Sequence, residues 1–209
     1  LETIDYSYNM RGWLTGINKD YALGEYNSDQ WQHFFGMYLG YDNRDGKFAN
    51  ARLDGNLTGV LWKSQGDNTP RKYDYDYDNA GRFTKANFNQ RGSSSEGWNK
   101  TTVDFSTKDI TYDENGNLVT MTQMGIVAGG TTPVTVDNLS YQYFTKSNKL
   151  RSVTDQAGGS ASGKLGDFKD GSNNPGTDDY SFDENGRLIL DHNKRISSVQ
   201  YNYFDKPEL

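Results

Sequence analysis

The sequence predicts an all-β fold of stacked antiparallel β-hairpins, and three observations lead to this prediction. Apolar and polar residues alternate up to Tyr112, an acidic and polar turn follows, and alternation resumes at Leu118. The same pattern recurs at several places along the chain. Aromatic residues make up 14% of the sequence, whereas disordered chains contain few of them.

The turn of this hairpin contains the pair Asn115-Gly116. Both residue types tolerate positive φ, so the pair predicts a tight primed turn between two strands. Copies of the pattern occupy 75–83 and 180–188, a looser copy 6–14, a copy without glycine 141–150, and the beginning of another 201–205. We therefore expect a repeat protein whose chain stops inside its last copy.

Composition limits the classes of function. Only 33% of residues are hydrophobic and the mean hydropathy is −0.92, which with so many aromatics favours an extended sheet with thin apolar seams. The absence of cysteine excludes disulfides and thiolate metal sites. A net charge of −6 and a pI near 4.9 argue against nucleic acid and anionic membranes as partners. Without a run of 18 apolar residues, no membrane span is predicted.

The connections between hairpins are less regular. Strands are expected at 37–42 and 59–63, with hairpins at 110–121 and 137–154. Segment 19–36 is either a short helical turn capped near Ser28 or an aromatic loop folded onto the sheet. We expect residues 155–179, rich in Gly, Ser and Asp, to form an inserted loop that projects from the sheet edge or is mobile.

The second aromatic of each copy marks a period. The markers are Tyr8, Tyr41, Tyr77, Tyr112, Tyr143, Phe182 and Tyr203. A nearly constant spacing of this size is typical of stacked arrays, and hairpins without intervening helices exclude an α-solenoid. Residues 1–209 are thus expected to form a single array. Residues 1–5 already fit a strand and do not resemble a signal peptide, so we expect both ends to be cut from a longer chain.

The recurring pattern Tyr-x-Tyr/Phe-Asp-x-x-Gly-Arg/Asn-Leu/Phe resembles the YD repeat of the RHS family. These are rearrangement hotspot proteins, related to teneurins and to the B and C components of insecticidal toxin complexes. The best matches are 77–83, 112–118 and 182–188, and four other copies lack the Asp, the Gly or the spacing. The phrases at 11–15 and 168–171 are similar to the version found in large exported proteins of Bacteroidota.

The resemblance implies a curved β ribbon, or β-spiral shell segment, that encloses or presents a separate toxin-like domain. It implies a secreted or cell-surface location and partners among other segments of the same parent protein or assembly. The family's plug segment, which can cut itself with aspartates, has no matching stretch here. We therefore expect a structural protein, not an enzyme, with no catalytic residue, no metal ligand and no cofactor.

Two other functions remain open from sequence. The exposed Tyr and Trp residues could stack on sugars, which would make the chain an extracellular adhesin or carbohydrate-binding module, although tyrosines at strand period also form cross-strand ladders. A secreted glycoside hydrolase would need two non-repeated carboxylates facing each other across a pocket.

Adjacent carboxylates occur at Asp113-Glu114 and Asp183-Glu184. A pair of this kind can act in general acid–base catalysis, but both pairs lie in the same copied turn. We expect these aspartates to hydrogen-bond backbone N–H groups one or two residues further on.

Three other patterns point to ligands and fail on inspection. Asp74, Asp76 and Asp78 begin like a calcium loop, but Asn79 and Lys85 stand where an EF-hand needs Gly and Glu, so a solvated strand face is expected. Residues 158–164 resemble a phosphate loop, but Leu165 replaces the hydroxyl ligand and a flexible loop is expected. His33 and His192 lack metal-binding patterns, and His33 is expected to be a packing residue.

Overall fold

The structure is a computed structural model, and it describes residues 2–25, 33–42, 44–92, 96–157, 166–170 and 178–208. Fourteen strands and one helix are assigned there. They are β1 (Tyr6–Tyr8), β2 (Leu14–Ile17), α1 (Lys19–Leu23), β3 (Phe35–Gly40), β4 (Gly59–Ser64), β5 (Arg71–Tyr77), β6 (Phe83–Gln90), β7 (Thr107–Tyr112), β8 (Leu118–Ile126), β9 (Pro133–Tyr143), β10 (Leu150–Asp155), β11 (Tyr180–Phe182), β12 (Leu188–Asp191), β13 (Gln200–Tyr201) and β14 (Pro207–Glu208).

The first ten strands form one sheet whose spatial order follows the sequence from β1 to β10. Strands β11 and β12 form a separate hairpin, and so do β13 and β14. Every pairing with a resolved register is antiparallel, as for β5 with β6, where Tyr73 lies opposite Phe88. The prediction of an all-β fold of antiparallel hairpins is confirmed.

Contacts divide the chain into two compact units. The first contains residues 1–108 and 131–133, and the second contains residues 109–130 and 134–209. The core of the first unit is a cluster of five buried side chains, with Trp98 packed against it. They are Ala22, Leu23, Tyr38, Phe48 and Leu61.

Segment 19–36 contains the short helix α1, which lies before Ser28 and was not predicted. The helix begins after Asn18, a left-handed residue with φ of 43°, and ends at Gly24. Strand β3 then begins at Phe35, two residues earlier than the strand expected from 37–42. The predicted cap at Ser28 lies outside the described residues.

Two glycines make room for the ring of Phe48 in this core. A Cβ at Gly40 or Gly59 would overlap Phe48, and at Gly59 it would also meet the backbone carbonyl of Tyr73. The two glycines lie opposite each other in β3 and β4. Close approach, rather than left-handed backbone, is therefore the reason for glycine at both positions.

The second unit buries Ile110, Val136, Leu139 and Val153. The hairpins β7–β8 and β9–β10 lie close to the predicted 110–121 and 137–154. Strand β9 is longer than expected and reaches back to Pro133. The glycine-containing turn before it occupies residues 127–130, where the Gly130 N–H donates to the Val127 carbonyl at 2.8 Å.

Two aspartates of segment 155–179 bond to edge strand β10, whereas residues 158–165 and 171–177, on which most of the predicted loop falls, lie outside the described residues. The outward N–H groups of Val153 and Asp155 on edge strand β10 donate to the carboxylates of Asp179 and Asp170, at 2.8 and 2.9 Å. Asp179 is only 1% exposed. These carboxylates occupy donors that an edge strand would otherwise present to another chain.

Residues 200–208 form a hairpin in which β13 pairs with β14. Asn202 begins the turn, and Asp205 takes the left-handed position with φ of 58°. Tyr201, one residue before the turn, therefore corresponds to Tyr77. The marker assigned to Tyr203 is wrong because the glycine that would have shown the register is replaced by Asp205.

The packing of Phe48 against Gly59 gives a first prediction. Substitution of Gly59 by alanine should lower the free energy of unfolding by about 1–3 kcal/mol, because the added methyl group overlaps a ring and a fixed carbonyl. Chemical denaturation of the whole chain measures the loss. Gly66→Ala is the matched control, since nothing lies within 4 Å of a Cβ at Gly66. Equal stability of the two variants would contradict this account of the core.

Candidate functional site

Each well-matched turn is held by one aspartate that accepts several hydrogen bonds. Asp113 Oδ1 accepts the backbone N–H groups of Asn115 and Asn117 at 2.9 and 2.8 Å. Its Oδ2 accepts the side-chain amide of Asn117 at 2.8 Å. The Gly116 N–H donates to the Asp113 carbonyl at 3.1 Å. One carboxylate thus satisfies donors that would otherwise need water.

Two further turns repeat this arrangement with arginine in place of Asn117. Arg82 Nε donates to Asp78 Oδ2 at 2.7 Å, and Arg187 Nε donates to Asp183 Oδ2 at 2.6 Å. The predicted bond to the N–H two residues on is confirmed, and a second bond reaches four residues on.

The first and last turns use asparagine for the same purpose. The side-chain oxygen of Asn9 accepts the N–H groups of Arg11 and Trp13 at 2.9 and 3.0 Å. The side-chain oxygen of Asn202 accepts those of Phe204 and Lys206 at 2.9 and 3.1 Å. These two copies, which look degenerate in sequence, therefore preserve the turn.

These turns are not primed turns, which corrects the prediction. Gly81, Gly116 and Gly186 have φ of 76°, 84° and 82°, but Asn115 does not share the positive φ. The geometry is a type I turn followed by a left-handed residue in a bulge. The register shift between Asp76 and Tyr77 reflects this bulge. The aspartate favours it because its bonds reach the third and fifth residues of the loop.

The hydrogen bonds lower the pKa of the turn carboxyls. For Asp113 the main cause is the Asn117 side chain, and for Asp78 it is the Arg82 backbone N–H. For Asp183 desolvation raises the pKa, but the bonds from Arg187 outweigh it and the net shift is downward. A lowered folded-state pKa contributes stability above the unfolded value of about 3.9, and this contribution is lost as pH falls through the folded pKa.

The two pairs of adjacent carboxylates lie at turns. Asp113 and Asp183 are committed to their turns, and Glu114 and Glu184 are exposed. Neither pair lines either of the two pockets described below. Asp113 and Asp183 fix the backbone of their turns.

The three aspartates of the suspected calcium loop have different environments. Asp74 is buried, and its Oδ1 accepts the Ala49 N–H at 2.8 Å, so the predicted solvated face is wrong at this position. The Lys72 ammonium lies 3.2 Å from its Oδ2. Asp76 faces Asn50, and Asp78 holds its turn. Because the Asp74 carboxylate is bonded to Ala49 and Lys72, it links β5 to a loop that is 25 residues away in the sequence.

The two histidines singled out from the sequence also have different environments. His33 is buried beside Tyr21, with ring centres 5.9 Å apart, which fits the predicted packing role. Its Nδ1 lies 3.7 Å from the Glu2 carboxylate. His192 is exposed and its backbone N–H donates to the Asp179 carbonyl. The suspected phosphate loop at 158–164 lies outside the described residues.

A contact that the sequence did not reveal connects neighbouring hairpins. The donor is the hydroxyl of a tyrosine that stands just before a turn, or before the loop after β3. The acceptor is a backbone carbonyl in the preceding hairpin, on the residue that follows the turn of that hairpin. We call these contacts inter-hairpin tyrosine bonds. They are Tyr41 to Leu14 at 3.2 Å, Tyr77 to Leu57 at 3.0 Å, Tyr143 to Leu118 at 2.8 Å and Tyr201 to Leu188 at 2.7 Å.

Sequence spacing carries the signal for these bonds. The tyrosine precedes the turn residue, and the acceptor leucine follows the turn of the preceding copy. At Phe182 the position is filled by a residue that has no hydroxyl, and the ring instead contacts Phe144 with centroids 6.5 Å apart. The sequence marks the positions, but it cannot show that the hydroxyl reaches back to the previous hairpin.

Aromatic side chains also form a cross-strand ladder in the first unit. Tyr73 lies 5.6 Å from Trp62 and 5.5 Å from Phe88, measured between ring centroids. Tyr75 lies 5.2 Å from Phe83. Burial raises the pKa of Tyr75 to about 12, helped by Tyr73 and Tyr77. The prediction that tyrosines at strand period pack across strands is confirmed here.

A surface pocket of about 450 Å³ lies beside the first hairpin. Trp13 and Tyr41 form an aromatic wall, with centroids 5.2 Å apart, and the Arg11 guanidinium lies 5.1 Å from the centre of the Trp13 ring. Arg52 and Leu53 also line it. Its one lining carboxylate is Asp42, and a smaller pocket of about 220 Å³ beside Phe48 has none.

Three carboxylates in the second unit lie close enough to hold a cation. The oxygens of Asp137, Asp155 and Asp167 are within 4.8 Å of one another. Each also has a structural partner. Asp137 accepts the Phe168 N–H at 2.7 Å, Asp155 accepts the Asn138 N–H at 2.8 Å, and Asp167 pairs with Lys169. These bonds give the three carboxylates a structural role, because they hold segment 166–170 against β9 and β10.

No family model and no curated protein matches the chain. The resemblance to the RHS family therefore stays a prediction. Within the described residues, no helix is long and apolar enough to cross a membrane.

The inter-hairpin tyrosine bonds give a second prediction. Tyr143→Phe should lower the free energy of unfolding by about 1 kcal/mol, because the Leu118 carbonyl loses its donor. Tyr203→Phe, whose ring is 86% exposed, is the control and should have no effect. Phe182→Tyr should raise stability by restoring a hydroxyl at the corresponding position. A Tyr143 variant as stable as the Tyr203 variant would refute the assigned role.

Proposed function

We propose that the chain is a structural segment of an RHS/YD-repeat shell that is secreted or displayed at the cell surface and encloses or presents a separate, toxin-like domain. The observation that carries this proposal is the recurring bond from a tyrosine hydroxyl to the preceding hairpin. It connects copies at four steps along the chain, so cohesion comes from repetition.

The physical logic follows from what one hairpin lacks. A two-stranded hairpin is marginal in water because it has one aromatic face and nothing to bury it against. A neighbouring hairpin supplies both a packing surface and the acceptor for the tyrosine hydroxyl. Since each step repeats the last, the stack can grow without a new core at each stage. This is the property that a shell wall needs.

The polar side chains support a structural role without catalysis. Asp78, Asp113 and Asp183 hold turns, Asp74 holds a loop, and Asp179 covers the edge of β10. A glycoside hydrolase needs two carboxylates across a pocket, and neither of the two pockets described above has more than one.

Limited proteolysis of the parent protein that carries this array tests enclosure. An intact array should slow cleavage of the enclosed domain relative to the isolated domain. The combined substitutions Tyr77→Phe, Tyr143→Phe and Tyr201→Phe should restore fast cleavage, because they weaken three steps of the wall. Tyr6→Phe with Tyr203→Phe is the matched control. Cleavage of the enclosed domain at the rate of the isolated domain, with the array unaltered, would contradict enclosure.

A second candidate function is glycan binding, and the pocket beside the first hairpin favours it. Its volume of about 450 Å³ lies in the usual range for small ligands, and its wall combines the rings of Trp13 and Tyr41 with the Arg11 cation, which lies over the Trp13 ring. Aromatic faces stack on sugar rings, and an arginine binds a carboxylate. The arrangement suits an acidic sugar better than a neutral one.

A glycan array with the whole chain tests this alternative. Binding to uronic or sialic acids should fall strongly in Arg11→Ala and in Leu53→Ser, both exposed enough to leave folding intact. Lys85→Ala, outside the pocket, is the control and should bind as the unaltered chain does. Signals no higher than background would remove this candidate and leave the structural function.

A further inference from the structure

The smaller pocket, of about 220 Å³, lies in the first unit against the buried core, and we call it the Phe48 pocket. Its lining combines apolar side chains with positively charged ones. The apolar residues are Leu23, Phe48, Leu61 and Trp98, and the cations are Lys47, Lys72 and Arg91. Within the described residues, its lining contains no carboxylate. A concave apolar surface with a few converging polar groups is typical of a ligand site.

Two of the three lining cations have acidic partners outside the pocket. The Lys72 ammonium lies 3.2 Å from Asp74 Oδ2 and donates to the Lys47 carbonyl at 3.1 Å. The Lys47 ammonium lies 3.5 Å from the Glu25 carboxylate, in a pair that is exposed to water. Asp74 and Glu25 therefore balance the charges of these two lysines.

Arg91 has no acidic partner among the residues that the structure describes. Its Nε is buried, and no described atom accepts the proton that this nitrogen carries. Its guanidinium lies over the Trp98 ring, 4.9 Å from the ring centre, so an aromatic face supports the cation without neutralising it. A buried donor without an acceptor costs free energy, and a ligand that brings an acceptor recovers this cost.

Lys63 adds further positive charge on the same face of the sheet. It follows Leu61 by two positions in β4, so the two side chains point to one face. Its ammonium lies 4.0 Å from the centre of the Tyr21 ring. Burial lowers the pKa of Lys63, and repulsion from Arg91 lowers it further. Two cations that repel each other, in a chain of net charge −6, create a local field that attracts an anion.

We propose that the Phe48 pocket binds a small organic monocarboxylate, with the carboxylate on Arg91 and an apolar body against Phe48 and Leu61. One negative charge matches the one lining cation that lacks an acidic partner within the described residues. The N–H groups of a guanidinium form a fork that fits the two oxygens of a carboxylate. The ligand is small, because about 220 Å³ is below the range of about 300–1,000 Å³ that is usual for drug-sized ligands. The proposal is independent of the shell function.

Titration of the whole chain with phenylacetate, followed by nuclear magnetic resonance, tests the proposal. The Arg91 Nε–H and Trp98 indole N–H signals should shift and saturate. Phenylacetamide has nearly the same shape without the charge, and it should bind about ten-fold more weakly or less, because a hydrogen bond to a charged group is lost. Acetate keeps the charge but lacks the apolar body, so it should also bind more weakly than phenylacetate.

Substitutions in the whole chain locate the binding. Arg91→Gln should weaken phenylacetate binding about ten-fold or more, because it removes the cation. Ala49 is exposed and lines the pocket, so Ala49→Phe should block binding without disturbing the core. Lys108→Gln, at an exposed position of β7 outside the pocket, removes the same charge and should leave binding unchanged. Arg11→Gln alters the pocket at Trp13 and should also leave it unchanged.

Circular dichroism verifies that each variant is folded, and Ala49→Phe keeps the test decisive if Arg91→Gln does not fold. Signals that do not shift, or equal affinity for phenylacetate and phenylacetamide, would overturn the proposal. So would full affinity in Ala49→Phe, loss of binding in Arg11→Gln, or inorganic phosphate binding more tightly than phenylacetate. None of these results concerns the inter-hairpin tyrosine bonds, so the shell function is tested separately.

Discussion

The structure depends on one constraint: a hairpin with a single aromatic face must find its cohesion outside itself. The tyrosine hydroxyl bonded to the preceding hairpin meets this constraint, because it anchors one end of a ring whose body packs against strands. Tyr143 and Tyr201 do this with short bonds of 2.8 and 2.7 Å. The hydroxyl allows the ring to be half-buried in a thin layer, where a phenylalanine would leave a backbone carbonyl without its donor.

The turns serve this contact by fixing its two ends. The donor tyrosine lies just before the turn residue, and the acceptor lies just after the turn. A turn of variable shape would move both. The aspartate of the turn, with its bonds to Asn117 or to an arginine, keeps the loop in one geometry, and the left-handed glycine lets the chain return without strain. Hydrogen bonds inside a hairpin therefore determine whether hairpins can join.

Sequence reasoning succeeded where the determinants are local. Alternation and the turn residues place the hairpins at 110–121 and 137–154 almost correctly, because these signals act within a few residues. It failed where the partner is distant or the residue type is unusual. Asp74 is buried and accepts the N–H of Ala49, which is 25 positions away, and no local pattern indicates this. Asp205 occupies a position where the pattern has glycine. The sequence therefore assigns the marker of the last copy to Tyr203, two residues after the true equivalent, Tyr201.

The candidate sites show the same difference between features with local determinants and features with distant ones. That Asp113 and Asp183 hold turns follows from the repetition of the motif, and the structure adds the bond four residues on. The covering of β10 by Asp179 was not foreseen, because a Gly- and Asp-rich segment gives no periodic signal. The pocket at Trp13 is lined by residues from three separate stretches of the chain. Spacing in the sequence therefore could not predict it.

Hydroxyl-proton exchange of the tyrosines, observed by nuclear magnetic resonance, tests the central claim most directly. The hydroxyl protons of Tyr41, Tyr77, Tyr143 and Tyr201 should exchange slowly with water, since each is held by a backbone carbonyl. Those of Tyr6 and Tyr203 should exchange too fast to observe. If the four bonded hydroxyls exchanged as fast as these two, the hairpins would have to be held together by packing alone and the account would be wrong.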